Sequence, residues 1–170
     1  DVYKRQIDNG ATFVQVDYIK TTPGKNYGEI LNNKWKKLAE KRIKDGTILG
    51  WDAWWNMGST DESKHDIMIV TLLKDIDSIN ANQGILKAFP DMTEEEVTEF
   101  QKKNREARKI VNSTIFTIVD NHFKQDSVPN IAVLNYMKVK SGNEFEYEKM
   151  EKEYKGNVDN SPKAGWAVHK

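Results

Sequence analysis

The 170-residue chain contains no cysteine. Disulfides, thiolate catalysis and Cys-based metal sites are excluded, while reducing and oxidising compartments both stay open. Neither charge is in excess, with 26 Lys+Arg against 26 Asp+Glu. Without a net field, and with no basic stripe interleaved with aromatics, nothing draws the chain to nucleic acid or an acidic membrane surface. No apolar run nears the roughly 20 residues of a membrane helix. Histidine is scarce, at three residues. His65, His122 and His169 share no helix face with a carboxylate or with one another, so no metal site is read. GxGxxG, Walker, HExxH and GxSxG patterns are missing as well, and no cofactor is implied.

What is present is apolar patterning dense enough for a packed core: 38% hydrophobic and 10% aromatic residues. The first six residues, DVYKRQ, need separate treatment. They can be encoded by GAT GTG TAT AAG AGA CAG, which resembles the end of a transposon adaptor used in preparing sequencing libraries. Residues 1–6 are therefore expected to be no part of the protein and to make no packed contacts, with order beginning near Thr12. On this reading the native N-terminus is lost and the compartment is left open.

Residues 13–21 alternate and are rich in β-branched side chains, as in a half-buried strand. Val14, Val16 and Tyr18 share one face, and Gln15, Asp17 and Ile19 the other. After Pro23-Gly24 the period changes. Tyr27, Leu31, Trp35, Leu38 and Arg42 recur at spacings of three and four, which predicts an amphipathic helix over 26–44 that stops at Asp45-Gly46. A second strand follows over 47–57, then a hairpin connection at GSTDES, then a third strand over 66–73. Residues 75–92 read as irregular or short-helical. Thr93 and Glu96 have capping-box spacing, so a helix should start there and carry Val97, Phe100, Ala107 and Val111 on one stripe. A fourth strand is expected over 114–120, and KQDSVPN (124–130) reads as a linker.

The order β-α-β-β-α-β is the split βαβ pattern of ferredoxin-like units, here over 12–123, with expected strand order 4-1-3-2 and both helices on one face. The chain then starts over. VQVDYIKTTPGKNY (14–27) aligns without gaps on AVLNYMKVKSGNEF (132–145), putting Tyr18 on Tyr136, Lys20 on Lys138 and Gly24 on Gly142. With a short deletion, Gly50-Trp51 falls on Gly165-Trp166. An internal repeat is expected, its second copy (131–170) being the opening half of a unit: a strand, a helix and a strand start.

YMKVKSGNEFEYEKMEKEY and WKKLAEKRIKDGTILGW together resemble the dimeric α/β-barrel superfamily and, more narrowly, two-repeat NIPSNAP-like proteins of Bacteroidetes. The resemblance implies an α+β, pseudo-dimeric α/β barrel in which two ferredoxin-like units lay their sheets face to face. It implies as partners the second repeat of the same chain or another copy. The superfamily spans cofactor-free monooxygenases, isomerases, haem-degrading enzymes and proteins without activity, so fold does not give function. Its haem-degrading members use a helix-borne His, which the 93–111 helix lacks, and Ala39 stands where relatives often carry His.

The most distinctive stretch is GWDAWWN (50–56). Along a strand Trp51, Ala53 and Trp55 share one face, and Asp52, Trp54 and Asn56 the other. Trp51 and Trp55 are expected to pack on the helices. Gln15, Asp17, Asp52 and Asn56 are expected to share one polar face turned into the barrel. Core filling is the commoner role for such tryptophans, and a pocket for a small apolar ligand is the sharper one. The pocket candidates are Gln15, Asp17, Trp51, Asp52, Trp54 and Asn56. Asp17 and Asp52 would suit acid-base work as a pair, but the third strand should separate them. Three functions follow: a small-ligand binding module, a cofactor-independent monooxygenase-like or isomerase-like enzyme on a small aromatic or apolar substrate, and a purely structural interaction domain.

Overall fold

The computed structural model describes residues 10–79, 88–124 and 129–170. The adaptor-like hexamer, and parts of the irregular stretch and of the linker, lie outside the described residues. Five antiparallel strands form one sheet in the order β2-β3-β1-β4-β5. They are β1 (Phe13–Thr21), β2 (Gly50–Trp55), β3 (Ile67–Leu73), β4 (Arg108–Phe123) and β5 (Gly165–His169). Helix α1 is α-helical over Tyr27–Ile30, π-helical over Leu31–Trp35 and α-helical again over Lys36–Lys44. Helix α2 spans Glu94–Ala107 and α3 spans Glu144–Tyr154. The first four strands and two helices make an α+β unit of ferredoxin-like order, 4-1-3-2.

Local chemistry explains most of the boundaries. The Asn26 side chain accepts from the Glu29 N–H at the start of α1. Gly46, at φ +71°, closes the other end, donating to the Ile43 carbonyl. Thr93 and Glu96 form a reciprocal capping box on α2. Both helices lie on one face of the sheet, where Trp35 of α1 stacks at 5.8 Å on Phe100 of α2. Beneath them Ile19, Tyr27, Leu31, Ile67 and Ala107 form a core that Trp51 and Ala53 join. At about 2 kcal/mol for each large side chain buried, this layer holds the unit together. The opposite face has its own cluster, Val14, Val16, Tyr18 and Leu72, so β1 is buried on both sides.

Two expectations fail. The second helix stops at Ala107, not 111, and β4 begins at the next residue. Ile110 is β-branched and pairs with Ile19 in the sheet, and that pairing ends the helical stripe. Residues 131–140, expected as a strand, form none. β5 pairs with β4 only over Ile118–Phe123, and 131–140 do not add to the remainder of that strand. The expected helix (α3) and final strand (β5) do follow.

The docking of β5 rests on a glycine. A Cβ at Gly165 would overlap the ring of Phe123, its partner in the register. Around that contact His122 Nε2 lies 2.7 Å from Asp159 Oδ1, Lys155 Nζ donates to Asp120 Oδ1 at 2.8 Å, and Lys124 Nζ donates to the Ser161 carbonyl. Gly165→Ala is expected to expose the amides of 165–169 to hydrogen exchange by at least tenfold while β1 and β3 keep their protection. Unchanged exchange in β5 would show that Phe123 moves aside freely.

Candidate functional site

Strand register decides which side chains share a face. On the helix-bearing face Trp51, Thr71, Gln15 and Ile115 form one row, and Ala53, Ile69, Asp17 and Ser113 the next. On the other face Asp52, Val70, Val16 and Thr114 form one row, and Trp54, Met68, Tyr18 and Asn112 the next. The expected single polar face is therefore wrong. Gln15 and Asp17 lie under the helices with Trp51, while Asp52 and Trp54 lie on the opposite face. Alternation within each strand is as expected; the register between β1, β3 and β2 sets the parity differently. Asp17 and Asp52 are separated by β3 and point to opposite faces, so they form no pair. Trp51 packs on the helix side as expected; Trp55 lies on the same side against Gly28 of α1 but stays 57% exposed. Asn56 sits at the hairpin, where its backbone N–H donates to the Asp66 carbonyl.

The helix-free face carries an isolated acid. Asp52, on the edge strand β2, has Val70 as its neighbour across the sheet, and burial pushes its carboxyl up to about 7. One row along, Tyr18 meets His65 edge-on at 5.0 Å. Its hydroxyl lies 2.5 Å from that of Tyr136, in the tail segment.

The helix-bearing face holds a denser polar group. Asp17 accepts from Ser113 Oγ at 2.5 Å and from Gln15 Nε2 at 3.0 Å. Tyr27 is 2% exposed, and its hydroxyl has no hydrogen-bond partner among the described residues. Burial pushes that hydroxyl up to about 12, the Arg108 cation opposing the rise and the Asp17 anion adding to it. The Arg108 guanidinium stands over the rings of Tyr27 and Trp35, at 5.8 and 5.7 Å. Asn104, buried on α2, accepts from both Trp35 Nε1 (2.9 Å) and Arg108 Nε (3.3 Å).

A β-bulge makes this arrangement. Tyr18 pairs with Asn112 but Ile19 pairs with Ile110, leaving Val111 as an extra residue. In a regular strand 108, 110 and 112 would share the helix-free face. The bulge turns Arg108 and Ile110 to the helix side, beside Tyr27. The helices do not cover that whole side: Ile110 is 47% exposed, Ile115 41%, and Ser113 is exposed between them. An apolar strip along β4 thus stays open next to the polar group.

Sequence reasoning placed Tyr27 and Trp35 on the helix stripe and did not single out Asn104, Arg108 or Ser113. The usable signal was Asn104 within an otherwise charged helix, four residues before Arg108 and one i,i+4 step from it. Among the described residues no three His, Asp or Glu side chains converge as a metal site requires. No described helix is long and apolar enough to cross a membrane.

No protein-family model matches the chain, and no curated protein is significantly similar to it. Among solved structures it is similar to a dimeric ferredoxin-like protein of unknown function from Thermobifida fusca, at 10% identity and a TM-score of 0.38, over 64% of this chain and 92% of that one.

Proposed function

We propose that the chain is a binding module for a small, largely apolar ligand, held on the helix-bearing face along β4. The observation that carries this reading is the uncovered strip Ile110–Ser113–Ile115 beside a buried hydroxyl and a clamped carboxylate. A small-molecule site joins apolar side chains to a few polar groups that fix orientation, and this part of the sheet carries both. The experiment is a fluorescence titration with 2-naphthol, a small neutral aromatic. Saturable binding is expected, weakened at least tenfold by Ile110→Asp or Ile115→Asp. Val133→Asp is the control, since Val133 is 79% exposed on the tail. No saturable binding, or an equal loss with the control, would sink the reading.

A second reading has its own support. Asp52, whose carboxyl titrates near neutrality in an apolar row, could carry a proton in an isomerase-like reaction on the helix-free face.

The tail from 131 onward is, on our reading, the opening of a second repeat related to the first by a pseudo-two-fold axis. In a two-fold contact, residues on the axis meet their own equivalents. Tyr18 and Tyr136 are aligned in sequence and meet hydroxyl to hydroxyl. The aligned Gly24 and Gly142 both take left-handed backbone, at φ +73° and +89°, just before a helix. Tyr136→Phe removes only the shared bond. It should lower stability by about 1 kcal/mol in urea unfolding, and Tyr18→Phe should do the same without adding to it. Additive losses would mean the two hydroxyls are not partners.

A further inference from the structure

The polar group beside the strip contains two hydrogen-bond donors without a partner among the described residues. Arg108 is fixed at Nε by Asn104 and braced over two aromatic rings, yet among the described residues its terminal amino groups have no hydrogen-bond partner. The Tyr27 hydroxyl, in a residue 2% exposed, is likewise unpartnered. A guanidinium held by its Nε and its faces keeps its outer fork free and preorganised, the geometry that matches a carboxylate. Asp17 does not fill that role: its oxygens are taken by Ser113 and Gln15. Along β1, Asp17 lies four residues from Thr21, the register partner of Arg108, or roughly 13 Å.

We propose that this site recognises a carboxylate on its ligand: the ligand is a small apolar or aromatic carboxylic acid, its anion bound by the outer fork of Arg108 with the Tyr27 hydroxyl as second donor. The apolar body lies on Ile110, two residues along β4 on the same face, and extends toward Ile115. Asp17, bonded to Ser113 midway along the strip, disfavours an anion there, so the carboxylate goes to the Arg108 end. The bulge at Val111 is the device that brings cation and apolar strip onto one face. A phosphate would meet the same donors, but the site offers a single guanidinium and an apolar floor, which suit a monoanion with a hydrophobic body.

This inference rests on the binding reading above, and a matched pair of probes separates the two. Calorimetric titrations of the whole chain with 2-naphthoate and with 2-naphthol compare a carboxylate with a neutral hydroxyl on the same ring. Naphthoate is expected to bind at least tenfold more tightly. Arg108→Lys keeps the charge but loses the planar fork, and should reduce naphthoate affinity at least fivefold more than it reduces naphthol affinity. Tyr27→Phe removes one oxygen and should give a smaller loss for naphthoate alone. Melting curves of both variants check that the fold persists, and each guards against failure of the other. A preference below tenfold, or one that survives in both variants, overturns the carboxylate assignment while leaving the binding module standing. Binding of neither probe overturns both.

Discussion

Asp52→Asn is expected to stabilise the protein at pH 8 and to leave its stability unchanged at pH 3. Burial beside Val70 raises the folded-state carboxyl to about 7, against about 3.9 in an unfolded chain. Between those values the native state holds a proton that the unfolded state has released, so stability falls as pH climbs from about 4 to 7. Above 7 the native state carries the full cost of a charge in an apolar row. A shift of that size corresponds to at most about 4 kcal/mol, and part is recovered by local relaxation, so a gain of roughly 2–3 kcal/mol is expected from the neutral amide. In a chain this long, that raises the melting temperature by about 6–10 °C. Melts across pH 3–8 check it. A difference between variant and parent that does not grow with pH would mean Asp52 is solvated, and the proton-carrier reading would go with it.

The same residue shows where sequence stops being informative. That Asp52 alternates with Trp51 follows from strand periodicity alone. That it faces away from Asp17 depends on β3 standing between the two strands with Val70 opposite Asp52 and Ile69 opposite Asp17. Pairing of that kind is a property of two chain segments together, and no single window contains it. Local chemistry, by contrast, was legible: β1 runs from 13 to 21 as expected, and Gly46 and Thr93 mark helix ends through bonds within four residues. The strand order followed from the element order because few topologies connect it.

The candidate site was hidden for a related reason. Arg108 follows a charged helix stripe and reads as one more solvated cation. It reaches Tyr27 only because α2 passes into β4 without a loop and because Val111 is extruded from the ladder. Both events place Ile110 in the ladder opposite Ile19 in preference to continuing the helix, a tertiary choice that overrides the local stripe. The tail shows the converse. Residues 131–140 carry a strand-like pattern, yet they form no strand, and Ile131, Val133 and Met137 stay exposed.

Asp66→Ala should be the most damaging single substitution in the unit. Asp66 is 7% exposed at the end of the β2–β3 connection, where its backbone N–H donates to the Ile19 carbonyl. Its carboxylate accepts from the Thr21 N–H (2.8 Å), the Thr21 hydroxyl (2.8 Å) and Lys20 Nζ (3.1 Å), tying the hairpin to the end of β1. Alanine leaves the Thr21 N–H and hydroxyl without their acceptor and Lys20 with the Thr60 carbonyl alone, a loss of about 3 kcal/mol, or about 10 °C in melting temperature. The pH dependence is opposite in sign to that at Asp52. Burial alone would raise the Asp66 carboxyl, but the Thr21 and Lys20 donors outweigh it and hold the group below the usual carboxylate range. Its contribution is therefore complete above about pH 4 and is lost as pH falls through the folded-state value. The deficit of Asp66→Ala should be constant from pH 5 to 8 and shrink toward pH 2, as the parent protein loses the same interaction by protonation. Urea midpoints at pH 7 and pH 2.5 test this. A deficit that persists undiminished at the lower pH would show that the side chain acts through packing, and that its charge contributes nothing.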